Sequence, residues 1–165
     1  MTFVVEDGTG KTNSNSYVSV AETDAYFEDR GNLNWAGTDS EKESYLIQAT
    51  DYVDLRFKSK LLGNKETETQ ALEFPRNTYP GVIPRDLRRA VFEYALRAKD
   101  AALMPDPTSH ESGRQLRSFR DKTDILESEW VFEPGTSVQL IKPYPFADLY
   151  MREFIKISGS KVIRN

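Results

Sequence analysis

The 165-residue chain contains no cysteine and a single histidine, His110. Without thiols there is no disulfide framework, no thiolate nucleophile and no cysteine-ligated metal. One imidazole also excludes a histidine-rich metal site or a histidine relay. No apolar run reaches the roughly 18–20 residues of a membrane span, and no charged-then-apolar leader opens the chain. A reducing cytoplasm is therefore the expected setting, with no membrane partner. Basic excess is missing too: 22 Lys and Arg stand against 26 Asp and Glu, a net −4. Residues 1–60 hold 6 basic and 11 acidic groups, residues 61–104 hold 7 and 6, and residues 105–165 hold 9 and 9. A protein that grips nucleic acid by neutralising phosphates usually shows the opposite balance.

What is present reads first as scaffold. Over residues 41–58, Leu46, Ala49, Thr50, Val53 and Phe57 share one helical face, with Tyr45 and Tyr52 at its margin. Thr38/Glu41 and Ser40/Glu43 both have capping-box spacing ahead of it. Ser19/Glu22 repeats that spacing and predicts a first helix over about 20–30, ended by Gly31. Leu33 and Trp35 are expected to pack across this helix pair. Pro84 starts a third helix to about 103, closed by Met104-Pro105. Between the last two helices, residues 64–83 form a Pro- and Gly-punctuated loop, tacked down by Leu72, Phe74, Tyr79 and Ile83.

The third helix carries two apolar stripes. Leu87, Ala90, Val91, Tyr94, Ala95, Ala98, Ala101 and Ala102 make the core side, while Phe92, Leu96 and Leu103 lie opposite, among Arg88, Arg89 and Lys99. The second stripe is either covered by the chain's own loop or tail, or is a subunit interface. Arg85, Arg88 and Arg89 form a tight basic patch, and Arg89, Glu93 and Arg97 are spaced for i,i+4 pairing on a solvated face.

From residue 105 the pattern changes. Leu116 and Phe119, then Leu126, Trp130 and Phe132, predict a long β-hairpin over 114–132 with a charged tip at 121–124. Phe146, Leu149, Tyr150, Glu153, Phe154 and Ile157 keep helical spacing over about 146–156. The expected fold is mainly α with a β extension: a three-helix bundle over 1–104, then the hairpin and a C-terminal docking extension over 105–165. The apolar tail residues Ile141, Tyr144, Phe146, Leu149, Tyr150, Phe154 and Ile157 are the expected docking surface. Arg114, Arg117, Arg120 and Lys122 on the hairpin are candidate contacts for phosphates.

Chemistry is sparse. Gly10-Lys11-Thr12 invites a phosphate-loop reading, but Val5 stands where that motif needs its first glycine, and turn-forming Asn and Ser follow instead of a helix. Asp51 and Asp54 fall off the core face, and Glu127, Glu129 and Glu133 alternate with apolar residues, so solvation accounts for all five. No Ser sits in a nucleophile elbow. No catalytic residue, cofactor or metal site is assigned, and the expectation is a protein without enzymatic activity.

Several segments resemble a family of tailed-bacteriophage proteins. They are Val4-Val5-Glu6-Asp7-Gly8-Thr9-Gly10, Asn15-Ser16-Tyr17-Val18-Ser19, Ala21-Glu22-Thr23-Asp24-Ala25-Tyr26-Phe27, Arg30-Gly31-Asn32, Trp35, Ile47-Gln48-Ala49-Thr50-Asp51-Tyr52-Val53-Asp54 and Phe74-Pro75-Arg76. The family comprises head-to-tail connectors, also called adaptors or head-completion proteins, and is often labelled DnaT-like single-stranded-DNA-binding. The resemblance spans about residues 4–103. It implies a homo-oligomeric ring of twelve copies under the portal protein, extending the channel for double-stranded genomic DNA and offering a surface to tail or nozzle proteins. The chain would then sit in the virion at the head-tail junction, after assembly in the host cytoplasm. The alternative is a single-stranded-DNA-binding replication accessory, with Tyr and Phe for stacking and Arg85–Arg89 for the backbone.

Overall fold

A computed structural model describes residues 2–105 and 142–156, and the backbone of 116–122 and 127–132. The described chain is mainly helical. It contains α1 (Val20–Glu28), α2 (Asp39–Phe57) with a 3-10 turn at Lys58–Lys60, and α3 (Arg85–Asp100). Strands β1 (Leu116–Lys122) and β2 (Glu127–Phe132) follow, then α4 (Pro145–Met151) and a 3-10 turn at Arg152–Phe154. None of these helices is long and apolar enough to cross a membrane.

The chain divides into two compact units, the first formed by 1–103 with 144–165 and the second by 104–143. The C-terminal segment thus belongs with the helices and not with the β extension, which moves the expected boundary. In the second unit, β1 and β2 pair antiparallel, Phe119 opposite Trp130 and Lys122 opposite Glu127, with an irregularity between Leu116 and Ser118. Asp121 and Lys122, expected in a hairpin tip, are strand residues. Residues 123–126, which would make the tip, lie outside the described residues.

In the first unit, both expected capping boxes form. Ser19 Oγ accepts from Glu22 N, and Thr38 Oγ1 accepts from Glu41 N, so Thr38 and not Ser40 caps α2. Each box satisfies two first-turn donors that would otherwise be free. The predicted face of α2 is the core: Leu46, Ala49, Thr50, Val53 and Phe57 are all buried, and Tyr52 joins them. α3 packs its Leu87, Ala90, Val91, Tyr94, Ala95 and Ala98 face inward. It stops at Asp100, so Ala101 and Ala102 are exposed and do not extend that face. Trp35 is buried and donates its indole N–H to Asp24 at 2.7 Å, whereas Leu33 points to solvent.

The loop between α2 and α3 is fixed by polar bonds at its ends and aromatics at its centre. Leu72, Phe74 and Ile83 are buried, and the Phe74–Pro75 bond is cis. Phe74 meets Tyr17 and Phe154 edge to face, with ring centroids 6.1 and 5.6 Å apart. Asp54 accepts from Tyr17 Oη (2.6 Å) and from the Glu73 amide (3.0 Å), while Arg76 pairs with buried Glu73 at 3.0 Å. Asp54 is therefore a structural tie and not a solvated surface carboxylate. Burial pushes its pKa up to about 7, against the opposing pull of the Tyr17 hydroxyl bond.

The C-terminal segment closes the same core. Tyr144, Ala147, Met151 and Phe154 are buried. Asp148 takes Arg56 at 2.7 Å and the Tyr94 hydroxyl, joining α4 to α2 and α3. Leu62 N donates to Phe154 O and Lys156 N to Lys60 O, both at 2.8 Å, which pins the end of the segment beside the turn after α2. Burying side chains the size of Met or Phe stabilises by roughly 1.5–3 kcal/mol each, enough to hold a seven-residue helix that could not persist alone.

Candidate nucleic-acid interface

The stripe expected as a subunit interface is covered from within. Phe92 is 7% exposed and Leu103 6%, and Leu96 packs partly buried on the core. The cover over Phe92 is α1: the Tyr26 ring lies 4.6 Å from Phe92, centroid to centroid, and its hydroxyl donates to buried Glu93 at 2.9 Å. Leu103 is closed by the C-terminal segment, whose Tyr144 hydroxyl donates to the Leu103 carbonyl at 3.3 Å. These three residues are core and core margin, because both neighbours arrive from distant parts of the chain.

Where α1 meets α3, a groove opens at the surface. It is lined by Glu22, Ala25, Tyr26, Asp29, Arg30, Arg85, Arg88, Arg89 and Phe92, four guanidinium groups against two carboxylates. The i, i+3, i+4 spacing of Arg85, Arg88 and Arg89 places them on one face of the first turns of α3. There the helix dipole adds positive potential. Arg88 reaches Glu22 on α1 at 3.1 Å and Arg89 reaches Asp86 at 3.2 Å, while Arg85 is exposed with no ion pair among the described residues. Burial raises the Glu22 pKa, but bonds from Ser19 and the Arg88 charge outweigh it and hold the carboxyl below its ordinary value. Glu93 pairs with Arg97 at 2.8 Å, so only half of the expected Arg89–Glu93–Arg97 ladder forms. Arg30 closes the rim from the turn after α1, donating to Tyr26 O at 2.8 Å with its guanidinium 3.5 Å above the Tyr26 ring. Arg30 was not part of the basic patch visible in sequence, since only the packing of α1 on α3 brings it there.

The Gly10-Lys11-Thr12 loop does gather anion-binding donors, but Glu6 takes them. Its buried carboxylate accepts from Gly8 N (3.0 Å), Gly10 N (3.0 Å), Lys11 N (2.9 Å) and Ser14 Oγ (2.9 Å). Lys11 turns to Val5 O and Asp7, at 2.8 and 2.9 Å. Gly8 is required by a close approach: a Cβ there would stand 2.3 Å from the Gly81 carbonyl oxygen, at a φ of +100°. The loop is an internal brace whose donors are taken by the chain's own carboxylates and carbonyl.

The remaining expected site residues divide. In the C-terminal segment, Tyr144 and Phe154 are buried, Tyr150 is half-buried, and Phe146 and Leu149 on α4 are 51% and 50% exposed. Among the described residues of the expected docking segment, only the last two keep an outward apolar character. Ile141, Ile157 and Arg114 lie outside the described residues. Arg117, Arg120 and Lys122 are in β1, where Arg120 stands opposite Glu129 and Lys122 opposite Glu127. Among the described residues no group of three or more His, Asp or Glu is placed to hold a metal ion.

Fold and groove define a small, mainly helical protein with a localised cationic surface on an otherwise acidic chain. The family described as "Putative DnaT-like ssDNA binding protein" matches residues 1–162, and the chain belongs to it. No curated protein and no solved structure matches the chain.

Proposed function

We propose that the protein binds single-stranded DNA, with the strand's phosphates lying along the α1–α3 groove. The observation that carries this reading is the gathering of Arg30, Arg85, Arg88 and Arg89 into one open groove, in a chain whose family is named for single-strand binding. The net charge of −4 makes the binding local and weak. The groove attracts the strand, and the carboxylate excess of residues 1–60 outside it repels the strand. Anisotropy of a labelled deoxythymidine oligomer at low salt tests the proposal. The wild type should bind, and Arg85→Ala with Arg89→Ala should weaken binding at least about ten-fold. Absence of wild-type binding would end it.

A second reading, the phage head-to-tail adaptor, is favoured by Phe146 and Leu149, two large apolar side chains left half exposed on one short helix. In that reading they dock on a portal or tail protein of the virion, in a ring of this chain around the DNA channel. Particle assembly that survives Leu149→Asp would remove this support.

A further inference from the structure

The groove supplies charge but no free aromatic face. Tyr26 has Arg30 stacked 3.5 Å above it and Phe92 at 4.6 Å, and both rings are buried. A base following the strand into the groove finds no platform there. Arg89, however, also faces α4: its guanidinium stands 5.8 Å from the centre of the Tyr150 ring. Tyr150 in turn meets Phe146 one helical turn earlier, edge to face at 5.5 Å. Phe146 is the one aromatic side chain among the described residues that is more than half exposed. Through Tyr150, the arginine cluster of α3 is thus linked to an exposed aromatic side chain on α4.

We infer that Phe146, backed by Tyr150, is the base-stacking platform for a strand whose phosphates lie along Arg85, Arg88 and Arg89. The inference rests on the single-strand reading of the groove. Stacking is tolerant of sequence because every base offers a π-face, so the platform adds affinity without selecting a base.

The test compares a deoxythymidine oligomer with an abasic sugar-phosphate oligomer of equal length, using the full chain. Wild type should prefer the thymidine strand about ten-fold. Phe146→Ala should lower thymidine binding to the abasic level and leave abasic binding unchanged, whereas Phe146→Trp should keep the preference. Arg89→Ala should weaken both strands. If Phe146→Ala retains the preference while Arg89→Ala weakens both strands, the groove stands and the platform is overturned. The exposed ring then serves a protein partner. If wild type binds neither strand, the groove reading falls and the platform with it.

Discussion

The loop at residues 6–14 and the α1–α3 groove both collect groups suited to an anion, yet they end in opposite states. In the loop, three backbone amides and one hydroxyl converge on Glu6, the carboxylate is buried, and the charge is spent on holding the N-terminal segment together. In the groove, two of the arginines have carboxylate partners, Arg30 lies over Tyr26, and Arg85 has no ion pair among the described residues. A motif that looks like phosphate chemistry is thus structural, and an arginine cluster that looks like a solvated face lines an opening. The difference lies in what the fold places inside each concavity, which local spacing does not encode.

Substitutions should separate the two regions by what they damage. Phe92→Asp, at the floor of the groove, puts a charge against Tyr26 and should destabilise by about 4 kcal/mol or more, measured by urea unfolding. A fully folded, stable variant would show that α1 does not seal this stripe. Glu6→Ala leaves three buried or half-buried amides and the Ser14 hydroxyl without their acceptor, and should cost about 3 kcal/mol with no change in oligonucleotide affinity. Loss of affinity without loss of stability would reverse the roles assigned to loop and groove. Arg85→Ala with Arg89→Ala should do the converse, changing stability by no more than about 0.5 kcal/mol while weakening DNA binding.

A further expected effect concerns neither anion site. Asp54 has a folded pKa of about 7, raised by burial above the roughly 3.9 of an unfolded chain. Between those values the folded protein holds a proton that the unfolded chain has released, so this group adds stability as pH falls from about 8 to 5. Asp54→Asn should flatten that part of the pH profile of unfolding. An unchanged slope would show that another group sets it.

Local features were legible in sequence because their causes are local. The capping boxes at Ser19 and Thr38 involve partners three residues away, and the buried face of α2 follows from helical period alone. The Arg85, Arg88 and Arg89 patch was equally plain. Hidden were the features made by distant partners: Phe92 under Tyr26, Asp54 between Tyr17 and Glu73, and Asp148 with Arg56. The apolar character of Tyr144 and Phe154 was visible, but not that their cover lies in the chain's own helices. The tail reads as a docking surface when taken locally, but its described part returns to α2 and α3 after the intervening β unit.

The central claim is that binding comes from a few arginines in one groove, and the salt dependence of single-strand affinity tests it most directly. Up to four phosphate contacts predict a log–log slope of about −3 for wild type, falling to about −1.4 when Arg85 and Arg89 are both alanine. Equal slopes for the two proteins, or binding indifferent to salt, would contradict the account.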